Sequence, residues 1–227
     1  MKPNIIDDAA KDFRYLLNRG YPRKAALDLV GNRYTLTFDQ RHLLHRAVFA
    51  GTDAESRRRK LLRSRDLRGQ DLAIDGHNVL ITIEAGLCRR PLILADDGFI
   101  RDISGLSGDF KQTATTESAL RLVLDVLRTM KLRNILFLFD APISRSGELA
   151  EEVRARLIEA HLPGDALAVK VPERILIGFP GVVATSDTAI INQSEKVLDL
   201  AGHVLRTRIK PQSMIRWTRK RNTPGSQ

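Results

Sequence analysis

The chain has 227 residues, 43% hydrophobic but only 5% aromatic, and a formal net charge of +10. That length supports a sizeable core in one or two domains. No apolar run approaches the roughly 18 residues that a membrane-spanning helix needs, which excludes an integral helical membrane protein. The single cysteine, Cys88, excludes an intrachain disulfide and fits a reducing compartment, so a cytoplasmic location is expected.

In chain order, residues 1–68 are predicted to be a small helical domain. The amphipathic "DDAAKDFRYLLNRG" stops at Gly20, and Pro22 opens a helix predicted to end at Gly31. Thr37 followed by Gln40, and Thr52 followed by Glu55, have the spacing of capping boxes opening two more helices. The fourth helix leads into "RRRKLLRSRDLR", residues 57–68, with seven basic residues in twelve. A basic tail, 211–227, ends the chain.

From about residue 69 strands and helices alternate. The candidate strands are 72–75, 134–140, 166–171, 181–187 and 203–209. The candidate helices lie near 78–87, 116–130, 147–161 and 188–201. Apolar strands separated by amphipathic helices predict an α/β fold with a mainly parallel sheet covered on both faces. Residues 91–104, "PLILADDGFIRDIS", interrupt the alternation as a β-hairpin turning near Asp97-Gly98.

Three candidate strands end in aspartate, at Asp75, Asp140 and Asp187. Ligands of open parallel sheets bind beyond the carboxyl ends of the strands. Three carboxylates on one rim repel unless a cation neutralises them, and Mg²⁺ or Mn²⁺ accepts such oxygens while retaining water, an arrangement suited to phosphodiester hydrolysis. Singly, each aspartate also fits a plainer role: Asp75 and Asp187 as helix N-caps, Asp140 as a turn residue. Asn78 is placed to orient Asp75 or a water. Glu117, in the first turn of "TTESALRLVLDVLRTM", is the chosen fourth acid, although it equally suits a helix N-terminus electrostatically. In the hairpin, Asp96 and Asp102 are accessory acids and Arg101 an accessory phosphate ligand. Asp97 fits turn chemistry.

Other chemistries are poorly supplied. His42, His45, His77, His161 and His203 are scattered and form no zinc pattern. No Walker loop, no G-x-G-x-x-G after a strand and no G-x-S-x-G elbow occurs.

"LAIDGHNVLI", "NILFLFDAP" and "VVATSDTAII", in that order, resemble the PIN-like nuclease superfamily and its NYN branch over residues 70–209. The whole chain is similar to a two-domain family of unknown function with a PIN-like C-terminal half. The resemblance implies a three-layer α/β/α sandwich over 69–210 and a divalent-metal-dependent ribonuclease. It makes Asp75, Asp140 and Asp187 metal ligands and Asn78 an accessory residue. Glu117 carries over less directly, because the hairpin disturbs the alignment.

The expected function is therefore RNA phosphodiester hydrolysis with Mg²⁺ or Mn²⁺. Arg57, Arg58, Arg59, Lys60, Arg219, Lys220 and Arg221 are expected to hold the substrate backbone. RNA is the expected partner ahead of DNA, with no membrane association, and the helical domain is a candidate for homodimerisation. The alternatives are a non-catalytic RNA- or DNA-binding protein with a degenerate PIN-like domain, and a hydrolase acting on small phosphoesters.

Overall fold

The computed structural model describes residues 5–103, 110–211 and 214–216. The tail residues Arg219, Lys220 and Arg221 lie outside the described residues.

Four helices open the chain: α1 (Ile5–Asn18), α2 (Arg23–Arg33), α3 (Phe38–Ala47) and α4 (Gly51–Lys60). The Thr37–Gln40 capping box forms as its spacing predicts. The Thr52–Glu55 box does not. Helix α4 begins two residues earlier than a Thr52 cap would place it, with Ala50 as the N-cap, and Asn18 Oδ1, at the end of α1, accepts the Gly51 N–H at 2.7 Å. Helix α2 runs past Gly31 to Arg33, because Gly31 makes room for the Arg41 guanidinium rather than turning the chain. Ala9, Ala10, Phe13, Ala26, Val30, Leu36, Leu44 and Val48 form a small core within these helices.

A 3-10 turn (Ser64–Leu67) leads to the α/β part. It comprises β1 (Asp71–Asp75), α5 (Gly76–Leu87), the hairpin β2 (Leu92–Leu94) and β3 (Ile100–Asp102), and α6 (Ala114–Met130). Then come β4 (Asn134–Asp140), α7 (Ser146–Glu159), β5 (Gly164–Val169), α8 (Pro172–Ile177), β6 (Val182–Ala184), α9 (Thr188–Gln193) and β7 (Val197–Leu198). Helix α10 (Leu200–Val204) continues into a π-helical turn (Leu205–Ile209) before β8 (Met214–Arg216).

The main sheet is parallel throughout, in the order β5-β4-β1-β6-β7. Helices cover both faces, so the protein is an α/β sandwich. Alternation along β4 divides the core. Ile135, Phe137 and Phe139 face the layer containing α5, α6 and α7, while Leu136 and Leu138 face that of α8 and α9. Among the described residues no helix is long and apolar enough to cross a membrane.

Two further sequence expectations fail here, the first at residues 188–201, read as one helix but split by β7 (Val197–Leu198). Residues 203–209 read as a strand but are helical: Asp199 caps the segment, accepting the Gly202 N–H at 2.9 Å, and Val204 and Leu205 are buried. Tertiary packing outweighs the β-branched composition. The hairpin forms as expected, with Gly98 at φ 91°, and belongs to a separate sheet, β3-β2-β8, that brings Asp102 to the main rim.

The hairpin is where the two parts join. Ile93 and Ala95 pack with Leu43, Ala47, Phe49 and Ala54 of the helical part. Around that apolar contact, Asp96 accepts a bidentate pair from Arg14 at 2.7 and 2.9 Å and the Phe49 N–H at 3.1 Å. Asp97, fully buried, accepts from Arg101 at 2.7 and 2.8 Å and from Arg57 at 3.3 Å. The guanidinium groups of Arg23, Arg57 and Arg101 lie 4.8, 4.4 and 5.2 Å from the Phe49 ring centre, each a cation–π contact.

Candidate active site

Strand β1 is central, with β4 on one side and β6 on the other, so the carboxyl ends of three adjacent strands share one rim. Asp75 terminates β1 and Asp140 terminates β4. Beside β6 the strand is shorter than its sequence suggests. It ends at Ala184, and Thr185-Ser186 carry the chain to Asp187, the N-cap of α9. Asp75, Asp140 and Asp187 line one cavity of about 420 Å³, with Asn78, His77, Asp102 and Arg46. Its apolar wall includes Ile81, Ile143, Leu176 and Ile190.

Asp75 and Asp187 are each held by their own donors. Thr185 Oγ1 donates to Asp75 Oδ2 at 2.7 Å, and the same hydroxyl oxygen accepts the Asp187 N–H at 3.0 Å. Asp187 Oδ1 accepts the Ala189 and Ile190 N–H groups at 2.7 and 3.2 Å, so the N-cap reading of this residue is also correct. Asp75 is pushed up to about 7, first by burial and then by the charges of Asp140 and Asp187, against the opposing Thr185 hydrogen bond. Gly76 is required beside it: a Cβ there would strike the Phe139 ring.

Asn78 does not orient Asp75 through its side chain. Its Oδ1 accepts from the Ser186 N–H at 3.0 Å and the Ser186 hydroxyl at 2.9 Å, fixing the loop that delivers Asp187. The nearby backbone of Asn78 favours the charged form of the Asp75 carboxylate electrostatically.

His77, Asp140 and Ser146 have the composition of a catalytic triad, but their geometry opposes one. Nδ1 of His77 faces Asp140 twice, 3.1 Å from its backbone N–H and 3.2 Å from its carboxylate Oδ2. Ser146 Oγ, buried, lies within 2.7 Å of the Asp140 and Ile143 carbonyls and 3.5 Å from Nε2. The hydroxyl proton is therefore engaged by backbone carbonyls and not by the more distant Nε2. Burial holds the His77 pKa below the usual value.

The expected accessory residues divide. Asp102 reaches the cavity from β3. Asp96 and Arg101 do not, because both are engaged in the junction, and Arg101 also donates to the Ser186 carbonyl at 2.9 Å. Glu117 lies elsewhere, beside Arg156 at 3.0 Å and Arg121 at 3.5 Å. Helix α6 starts after a long excursion through the hairpin, and its first turn faces α7 instead of the rim.

The α4 cations also differ from expectation. Arg57 is buried and donates to Asn192 and Asp97, Arg58 donates to the Asp96 carbonyl, and Lys60 donates to the Ile191 and Asn192 carbonyls. Arg59 is exposed and paired with Glu55 at 2.5 Å. Three of these four cations bind the two parts of the molecule together.

Sequence reasoning missed Arg46, on α3, and Thr185. The "TSD" run signalled the latter, since hydroxyls flanking an aspartate commonly bond to it. Nothing local marks Arg46, which enters the cavity only through the docking of the helical part.

The donor set is oxygen-rich, as hard cations require. Among the described residues no three acidic, histidine or cysteine side chains close on one point as preformed ligands. Like-charge repulsion opposes their convergence, and Asp75 and Asp187 are drawn to separate hydrogen-bond donors.

A family model described as "Domain of unknown function (DUF5616)" matches residues 64–203, more than half of the chain. The chain belongs to that family. A second model, "Protein of unknown function (DUF434)", matches residues 5–60, so the two models divide the chain between α4 and the 3-10 turn. The chain is also similar to "Uncharacterized protein MJ0935" of Methanocaldococcus jannaschii, 35% identical over 192 residues, which cover 85% of this chain and 91% of the relative. A match of that span takes in helical and α/β parts together. No solved structure matches the chain.

Proposed function

We propose that this protein is a divalent-metal-dependent ribonuclease of the PIN-like type, with Mg²⁺ or Mn²⁺ held by Asp75, Asp140 and Asp187. One observation carries the reading: three aspartates from the carboxyl ends of adjacent parallel strands line one cavity, and their mutual field helps raise the Asp75 pKa. Asp102 adds a fourth carboxylate to the same cavity. When bound, the cation supplies Lewis-acid polarisation of a phosphoryl oxygen and a more acidic water.

The chain's own residues provide position. Thr185 fixes the Asp75 carboxylate and the Asp187 backbone together, while Asn78 locks the intervening Ser186. The apolar wall gives a base or sugar a surface to pack against and narrows access of bulk water.

A second reading, hydrolysis of a small phosphoester by the same carboxylates, is favoured by the engagement of Arg57, Arg58 and Lys60 inside the molecule. That engagement removes part of the expected track for a long RNA backbone.

The test is cleavage of labelled single-stranded and structured RNAs with Mn²⁺, Mg²⁺ or EDTA. The expected result is metal-dependent cleavage that falls at least about 100-fold in both Asp75→Asn and Asp187→Asn, the scale for loss of a transition-state electrostatic contact. Uncleaved RNA bound equally well by all three proteins overturns the nuclease reading. Turnover of a small phosphoester alone selects the second.

A further inference from the structure

We propose that Arg46 is the phosphate-binding residue of this site, which makes the N-terminal helical part a component of the active centre. The inference rests on the phosphoester chemistry proposed above and adds the residue that recognises the substrate's anion.

The argument begins with the arginines near the junction. Arg14 is held bidentate by Asp96, Arg57 by Asn192 and Asp97, Arg58 by the Asp96 carbonyl, and Arg101 by Asp97 and the Ser186 carbonyl. A structural guanidinium here therefore comes with fitted acceptors. Arg46 differs: among the described residues its buried Nε has no hydrogen-bond partner. Leaving a buried donor unsatisfied forfeits its hydration without compensation, so its retention calls for an acceptor supplied by something else.

The location suggests what that acceptor is. Arg46 lines the cavity with the four aspartates, and the Asp102 and Asp187 charges favour its charged form, while burial and Arg101 oppose it. Carboxylates that gather a cation leave the guanidinium free to engage a second, larger anion. A planar fork with five N–H donors matches two oxygens of a phosphoryl group, which a lysine cannot reproduce. A cavity of about 420 Å³ has room for a phosphate with one nucleoside against the apolar wall.

The test is calorimetric titration of inorganic phosphate, and separately of a 5′-phosphorylated dinucleotide, into the Mn²⁺-loaded full chain. Arg46→Met and Arg46→Lys are compared with wild type, and Arg121→Met, whose arginine lies beside Glu117 away from the cavity, is the control. The expected result is at least tenfold weaker binding of both probes by Arg46→Met, partial loss in Arg46→Lys, and no change in Arg121→Met, with Mn²⁺ affinity retained throughout. A merely structural Arg46 predicts a lower Tm with unchanged probe affinity, and that outcome overturns the proposal. So does wild-type probe affinity in a correctly folded Arg46→Lys, which keeps the proposal testable if the Met variant does not fold. Mn²⁺-dependent RNA cleavage by wild type, lost in Asp75→Asn but alongside unchanged probe binding by both Arg46 variants, would sink this inference and leave the nuclease reading standing.

Discussion

Asp75 carries a cost that its surroundings only partly relieve. Its pKa of about 7 in the folded chain stands above the ordinary 3.8, so the folded state binds this proton more tightly than the unfolded state does. The contribution to stability is fully present below about pH 4 and is lost as pH rises towards 7, a change of roughly 4 kcal/mol by linkage. Asp75→Asn, which can still accept from Thr185, is therefore expected to raise the Tm of the cation-free protein at pH 8 and to change it little at pH 4. Equal shifts at both pH values would remove the electrostatic explanation. Mn²⁺ must displace the same proton, so its affinity should fall as pH drops below about 7. Calorimetric titrations at pH 6 and pH 8 check this.

At the scale of elements, the β1–α5 junction is the tightest joint in the site. Gly76 lets α5 begin directly against the Phe139 ring. Gly76→Ala should cost about 1–3 kcal/mol through overpacking, and adding Phe139→Leu should recover part of that loss because the two residues share one contact. Denaturant midpoints of the single and double variants decide it. The motifs at this joint were legible because they are local: an apolar strand, an acid at its end, a glycine, then a helix. The hairpin was legible for the same reason, from Asp97-Gly98 and its apolar flanks. What the hairpin does was not. Asp96, Arg101 and Arg57 look in sequence like a site acid and substrate cations, and Asp97 like a turn residue; only the docking of distant segments turns them into a buried junction. Glu117 shows the same limit, since its place depends on where the chain re-enters after the hairpin. Residues 203–209 were misread because β-branched composition cannot report that Asp199 caps them into a helix.

Across the whole molecule, the buried Asp97–Arg57–Arg101 cluster couples the helical part to the sheet. Asp97→Ala leaves two buried guanidinium groups without their carboxylate, an expected loss of about 3–5 kcal/mol. Wild type should unfold in one transition, with helical content and Trp-independent probes of the sheet changing together. The variant should show the α1–α4 signal melting first. A single transition at the wild-type midpoint would mean that the apolar contact around Phe49 suffices. The strand order has a further consequence for a chain made from its N-terminus. The first helices emerge with Arg57 facing nothing, and its carboxylate partner follows 40 residues later. The central strand then gains β4 as one neighbour, but the other waits for residues 182–184. Asp187 comes later still, so no nascent fragment that ends before it can gather the three aspartates; under the proposed nuclease reading, the growing polypeptide would stay inert beside the RNA of the ribosome until that point.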